Sequence, residues 1–253
     1  KALAVFLKND DADADDSSRN ELLNLQEILT SVLLSSHRGV VPNFLLVDGI
    51  YRTKTCRRFF PEDNLAFRME LCEITLDDII TDASASSSAS NGSTGPSLSL
   101  KQIDGYFFQL CCALAYMHSI LNIYHLDMKP SNVLLGSLGD DAKGETSTFR
   151  YQVGPKEFSM SLPRPIALLK IADLGSAMPD VTSYLHTTSG TLSYRPPEYF
   201  FQGPVGPAGS CTDVFAVGLM MLEAYLGIGH DEFIERELVF SEGLEDFLVE
   251  HID

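Results

Sequence analysis

The run His125-Leu126-Asp127-Met128-Lys129-Pro130-Ser131-Asn132 sets a carboxylate, an ammonium and a side-chain amide close together, directly before the apolar stretch Val133-Leu134-Leu135. Phosphoryl transfer calls for such a set: a carboxylate to orient an attacking hydroxyl, a cation to offset charge on the transferring group, and an oxygen ligand for a divalent metal. A second carboxylate follows in Lys170-Ile171-Ala172-Asp173-Leu174-Gly175, at the end of an apolar run and just before a glycine that permits an unusual turn. Asn132 and Asp173 are suited to grip a magnesium ion while leaving positions for phosphate oxygens.

These residues need elements to hold them. Ala2–Leu7 has the length of a buried strand, and the acidic stretch Asp10–Ser18 reads as a solvated loop. From Arg19 to Ser35, Leu22, Leu25, Ile28, Leu29, Val32 and Leu33 recur at helical spacing and predict an amphipathic helix. Strands are expected over Val40–Tyr51 and Asn64–Glu70, with a turn near Pro61. Ala83–Ser99 is dominated by Ser, Ala and Gly and reads as a flexible insertion. Leu100–Leu121 returns to helical periodicity, Gly136–Pro165 reads as a second polar, flexible insertion, and Ile166–Ile171 as a strand. Val214–Leu226 is almost wholly apolar, as suits a helix at the centre of a lobe. The expected fold is α+β, with a β-rich N-terminal lobe over residues 1–72 and a mainly helical lobe over 73–253.

The two motifs together resemble the protein-kinase catalytic loop H-R-D-x-K-P-x-N and the metal-binding D-F-G element, here His-Leu-Asp-Met-Lys-Pro-Ser-Asn and Asp-Leu-Gly. Ser189–Glu198 is similar to the end of a kinase activation segment, with Pro196-Pro197-Glu198 for A-P-E. Asp213-Val214-Phe215-Ala216-Val217-Gly218 resembles the start of the large buried helix whose aspartate braces the catalytic loop. The resemblance implies that Asp127 orients the substrate hydroxyl, that Lys129 stabilises the transferring group, and that Asn132 and Asp173 bind Mg²⁺. It makes Met69 the gatekeeper and Glu70, Leu71 and Cys72 the hinge that presents backbone groups to adenine. Glu27, with Glu21 as the other candidate, is the helix glutamate that pairs with a phosphate-anchoring lysine. Lys129 and Thr191 belong to the serine/threonine pattern, so ATP, Mg²⁺ and a Ser or Thr hydroxyl on a protein are the implied cofactors and substrate.

The pattern also departs from that family. Leu126 replaces the catalytic-loop arginine and cannot pair with an activation-segment phosphate on Thr187, Thr188 or Ser189. Leu174 stands where the family has phenylalanine. No G-x-G-x-x-G precedes the first strand. Three registers stay open: Lys1 anchors the phosphates, Lys8 does, or Ala2-Leu3-Ala4 occupies the A-x-K site with no lysine, which describes a pseudokinase acting as a binding module. Helix-to-lysine spacing favours Lys8. The resemblance runs from about Ala2 to Gly229, and the chain reads as part of a kinase domain. It opens on Lys1 rather than methionine, so further residues are expected upstream.

Composition bounds the remaining classes. With 253 residues, 45% of them apolar, the chain can bury a sizeable core. A net charge of -17 argues against a nucleic-acid footprint and favours basic peptides over anionic partners. The five cysteines form no C-x-x-C pair and read as reduced thiols. No apolar run is long enough to span a membrane and no leader opens the chain, so a cytoplasmic or nuclear protein is expected. Oligomeric state has no signature in the sequence.

Overall fold

The computed structural model describes residues 2–6, 14–53, 64–81, 98–136, 145–179, 190–196 and 209–228. Strand β1 (Ala2–Phe6) is followed by helix α1 (Ala14–Ser36), which starts inside the stretch expected to be a loop. Residues 37–46 then run as turns and extended chain, so the strand expected from Val40 begins only at β2 (Val47–Thr53). Strand β3 (Asn64–Met69) pairs antiparallel with β1 and β2, giving the sheet order β1-β3-β2. Its register sets Ala2 opposite Met69 and Ala4 opposite Phe67. The turn expected near Pro61 and the low-complexity run from Ala83 lie outside the described residues, apart from Leu98 and Ser99.

An extended segment leaves β3 for the short strand β4 (Ile74–Thr75) and a helical turn, α2, over residues 76–81. The Asp78 carboxylate accepts from the Thr75 N–H at 2.7 Å and the Thr75 hydroxyl accepts from the Asp78 N–H at 3.1 Å, a reciprocal cap. Helix α3 (Leu100–Tyr116) opens on the same device, Ser99 with Gln102. It ends in a π-helical turn (Met117–Leu121) rather than continuing as α-helix. Asn122, left-handed at φ 52°, then turns the chain into β5 (Ile123–Tyr124).

Strand β6 (Val133–Gly136) begins directly after the predicted catalytic loop. The expected flexible insertion Gly136–Pro165 is corrected over its described part: β7 (Thr146–Val153) and β8 (Lys156–Pro163) form a hairpin of eight paired positions. Ser147, Phe149 and Tyr151 alternate inward, and with Leu162 they bury against α3. Three inward side chains at period two are enough to seat a strand despite polar neighbours. Strand β9 (Leu168–Ile171) pairs with β6, which also pairs with β4, and β10 (Met178–Pro179) pairs with β5.

Helix α4 (Ser210–Leu226) ends at Gly227, whose φ of 65° stops it. It packs on α3, burying Ala216, Val217, Met220 and Ala224 beside Phe107, Leu110, Leu114 and Met117. This helix pair is the floor on which the predicted catalytic loop rests.

Candidate active site

The loop 125–132 is suspended from α4. Asp213, 1% exposed, accepts the backbone N–H groups of His125 at 2.8 Å and Leu126 at 2.7 Å. His118 Nε2 donates to the same carboxylate at 2.8 Å. His125 is fully buried, donating from Nε2 to the Ala172 carbonyl at 2.9 Å and so tying the loop to the strand end that carries Asp173. Leu126 adopts φ 64°, unusual for a side chain with a Cβ, and it is 4% exposed. The turn at Leu126 delivers Asp127 to the surface of the loop.

Asp127 is the centre of the constellation. Its Oδ1 accepts the Thr191 N–H at 2.7 Å and the Thr191 hydroxyl at 2.8 Å. Its Oδ2 faces Lys129 Nζ at 3.1 Å and accepts from Asn132 Nδ2 at 3.2 Å. Lys129 also donates to the Thr191 hydroxyl at 2.9 Å. Burial would raise the Asp127 pKa, but the Thr191 and Lys129 hydrogen bonds and the Lys129 charge outweigh it and hold the carboxyl below the usual range. The group is therefore ionised at neutral pH.

Thr191 reaches Asp127 because Gly190 lets it. Gly190 has φ 90°, and a Cβ there would lie 2.4 Å from the Leu126 carbonyl oxygen. Arg195 Nη2 donates back to the Gly190 carbonyl at 2.8 Å, and the Tyr194 hydroxyl donates to the buried Glu223 carboxylate of α4 at 2.9 Å. Thr187, Thr188, Ser189 and Glu198 lie outside the described residues.

Asn132 and Asp173 flank β6 and β9, which are paired neighbours. Val133 stands opposite Ile171, and the Ala172 N–H donates to the Asn132 carbonyl at 3.0 Å. The Asn132 amide nitrogen donates to the Asp127 carbonyl at 2.8 Å, which leaves its amide oxygen facing away as an acceptor. Asp173 has φ 56°, and its Oδ1 accepts from the Gly175 N–H at 3.4 Å. An amide oxygen and a carboxylate fit a magnesium ion that completes its shell with phosphate oxygens and water. No group of three or more His, Cys, Asp or Glu that could hold a metal occurs among the described residues, so the pair would hold it without a protein cage.

Above them, Glu27 of α1 approaches the turn: a Cβ on Gly175 would lie 3.3 Å from both Glu27 Oε2 and Asp173 Oδ1. Burial, then repulsion from Asp173, pushes Glu27 up to about 7. Glu27, Phe67, Met69, Asp173 and Leu174 line a cavity of about 40 Å³. Leu174 is 6% exposed, so leucine fills the place expected of an apolar packer. The described residues thus form two groups, Asp127 with Lys129, Asn132 and Thr191, and Glu27 with Met69 and Asp173, linked where the Ala172 N–H meets the Asn132 carbonyl. Glu21 lies on α1, but its side chain, like Lys1 and Lys8 entirely, falls outside the described residues.

Glu70, Leu71 and Cys72 follow β3 outside any helix or strand, and Leu71 is exposed. The Glu70 side chain is held in an ion-pair cluster. Its carboxylate pairs with Lys170 Nζ at 3.0 Å and Arg38 Nη2 at 3.0 Å, and it accepts the Leu46 N–H at 2.8 Å. Burial raises the Cys72 thiol, with the Glu70 charge adding to it. Lys170, Asn43 and His118 are structural contributors that motif spacing did not single out. A lysine in the apolar run Ile166–Ile171 was the available signal.

Residues 35–235 match the family model of the protein kinase domain. The chain belongs to this family. It is similar to CBL-interacting protein kinase 20 of Oryza sativa subsp. japonica, 32% identical over 54% of the chain and 26% of that protein. It is also similar to the probable serine/threonine-protein kinase nek1 of Dictyostelium discoideum, 36% identical over 48% of the chain and 22% of that protein. The aligned segments thus span only about a quarter of the length of these curated relatives. A crystal structure of a kinase domain superposes with a TM-score of 0.56 at 18% identity, covering 89% of this chain and 56% of the other, which shows the fold. The α+β kinase fold expected from the sequence is the one observed. No described helix is long and apolar enough to cross a membrane.

Proposed function

We propose that the chain transfers the γ-phosphoryl group of ATP to Ser or Thr hydroxyls of proteins. The observation that carries this reading is the Asp127–Lys129–Thr191 arrangement, an ionised carboxylate bridged to an ammonium through a threonine hydroxyl. Asp127 would accept a hydrogen bond from the substrate hydroxyl and orient it for in-line attack. Four donors already occupy its two oxygens, so an incoming hydroxyl replaces one of them, and the 3.2 Å bond from Asn132 is the longest. Lys129 then offsets charge on the transferring group. Asn132 and Asp173 would hold Mg²⁺, which supplies neutralisation of phosphate charge when bound. Met69 and the Glu70–Cys72 backbone would border adenine. Lys8 is the proposed phosphate anchor, and the two lobes would divide after Cys72.

A second reading, a pseudokinase acting as a scaffolding or binding module for a partner, draws on the β1 register. Ala2 and Ala4, not a lysine, stand opposite Met69 and Phe67, two residues that line the cavity with Glu27. A magnesium-dependent ATP titration separates the readings. The catalytic reading expects binding that weakens at least about tenfold in Lys8→Met, through lost phosphate pairing. Unchanged affinity in that variant removes Lys8 from the site, and no binding by the unmodified chain sinks the catalytic reading.

A further inference from the structure

The hairpin β7–β8 has no part in the chemistry just proposed, yet it sends one polar atom deep into the molecule. Tyr151 is 1% exposed, and its hydroxyl donates to Asn43 Oδ1 at 2.7 Å. Its ring lies edge-on to Phe108 with centroids 5.7 Å apart. Leu162 of β8 sits so close over Gly105 that a Cβ on that glycine would meet a leucine methyl at 2.3 Å. Both contacts seat the hairpin on α3.

Asn43 is itself wholly buried in the segment between α1 and β2. Its amide donates to the Leu169 carbonyl at 2.7 Å and to Gln109 Oε1 at 3.2 Å. Gln109, also fully buried, accepts the Leu169 N–H at 2.9 Å and donates to the Ala167 carbonyl at 3.0 Å. The residues on either side of Asn43 hold a lysine: Lys170 Nζ donates to the Pro42 carbonyl at 2.6 Å and the Phe44 carbonyl at 3.3 Å. Lys170 is 1% exposed, and its ammonium reaches Glu70 Oε1 at 3.0 Å. Glu70 closes the circuit on the same segment, for its N–H donates to the Leu46 carbonyl at 2.9 Å while its carboxylate accepts the Leu46 N–H.

A buried polar network of this kind has few ways to rearrange, because each member left without its partner carries the full cost of desolvation. Removing the tyrosine hydroxyl strips the hairpin's donor from Asn43 Oδ1. The cheapest relief is for segment 41–46 to shift. Close packing passes that shift to Lys170 and to Glu70, where β3 enters the proposed hinge.

We infer that hairpin β7–β8 is a brace that, through the Tyr151 hydroxyl on Asn43, sets the position of Glu70 and with it the hinge used for nucleotide binding. Tyr151 is a positioning residue and touches none of the candidate catalytic groups. The consequence for nucleotide rests on the proposed function, whereas the mechanical link from Tyr151 to Glu70 does not.

The test is Tyr151→Phe in the full chain, read by amide hydrogen exchange and by MgATP affinity. Exchange at Leu46 and Glu70 is expected to accelerate about tenfold relative to amides of α4, the signature of local opening. Where the unmodified chain binds MgATP, the variant is expected to bind about three- to tenfold more weakly, with kcat at saturating nucleotide within about twofold. In a Lys170→Met background the same substitution is expected to add little further loss, because both act on one network. Leu219→Ala, which destabilises α4 itself, is the comparison and should not raise the Glu70-to-α4 exchange ratio. Unaltered exchange at Leu46 and Glu70, or an acceleration shared equally by α4, overturns the brace. If the unmodified chain binds no MgATP, the exchange ratio still decides the brace, and it is the nucleotide reading that fails.

Discussion

Asp127 works only if its lone pairs face the right donors, and Gly190 is the residue that makes this possible. Replacing Gly190 with alanine sets a methyl against the Leu126 carbonyl, at a φ that alanine rarely adopts. We expect Gly190→Ala to displace Thr191 and lower kcat by about 100-fold, on the order of one lost transition-state contact. Steady-state kinetics checks this, and a kcat within twofold of the parent would show that Thr191 need not touch Asp127. Glu27 makes a different prediction. Its carboxyl ionises near 4.5 when unfolded and about 7 when folded, so the folded state holds the proton longer. The stability this brings is complete below pH 4.5 and is lost as pH rises through 7, and because solvent screens this partly exposed carboxyl it amounts to about 1–2 kcal/mol. The urea midpoint should therefore fall between pH 5 and pH 8, and Glu27→Gln should flatten that fall. An equal fall in the variant would assign it to other groups.

At the scale of elements, α4 is both a core helix and the anchor of the loop it supports. Asp213→Ala leaves two buried N–H groups and the His118 donor without the carboxylate, at a cost of about 3 kcal/mol. We expect a lower unfolding midpoint by circular dichroism together with loss of transfer. A midpoint unchanged within error would mean the loop does not hang from α4. Helices were the legible elements. The spacing of Ile103, Phe107, Leu110 and Leu114 in α3 carried a helical period, although it gave no sign that Met117–Leu121 would widen into a π turn. The hairpin was misread because overall polarity outweighed the alternation Phe149, Tyr151, Val153. Only the proximity of α3 shows that this alternation has a surface to bury against.

For the whole molecule, legibility followed sequence distance. Asp127, Lys129 and Asn132 lie in one loop, so their chemistry was readable without a fold. Asp173 followed from the strand before it, and Asp213 from the helix it starts. The Tyr151–Asn43 bond joins residues 108 positions apart and depends on how the hairpin lies across α3, which no local pattern encodes. Lys170 was visible as a charge within an apolar strand, but its partners Pro42, Phe44 and Glu70 come from two other regions. The kinase fold carries all of these in one chain, and the reading that matters most is that phosphate transfer runs through Asp127. The most direct test compares the chain with Asp127→Asn for transfer from MgATP to a mixture of Ser-, Thr- and Tyr-containing peptides, with ATP affinity measured on both. Phosphate is expected on Ser and Thr, with a loss of about 1000-fold or more in the variant and ATP affinity within about threefold. Transfer by Asp127→Asn equal to that of the parent chain would contradict that reading.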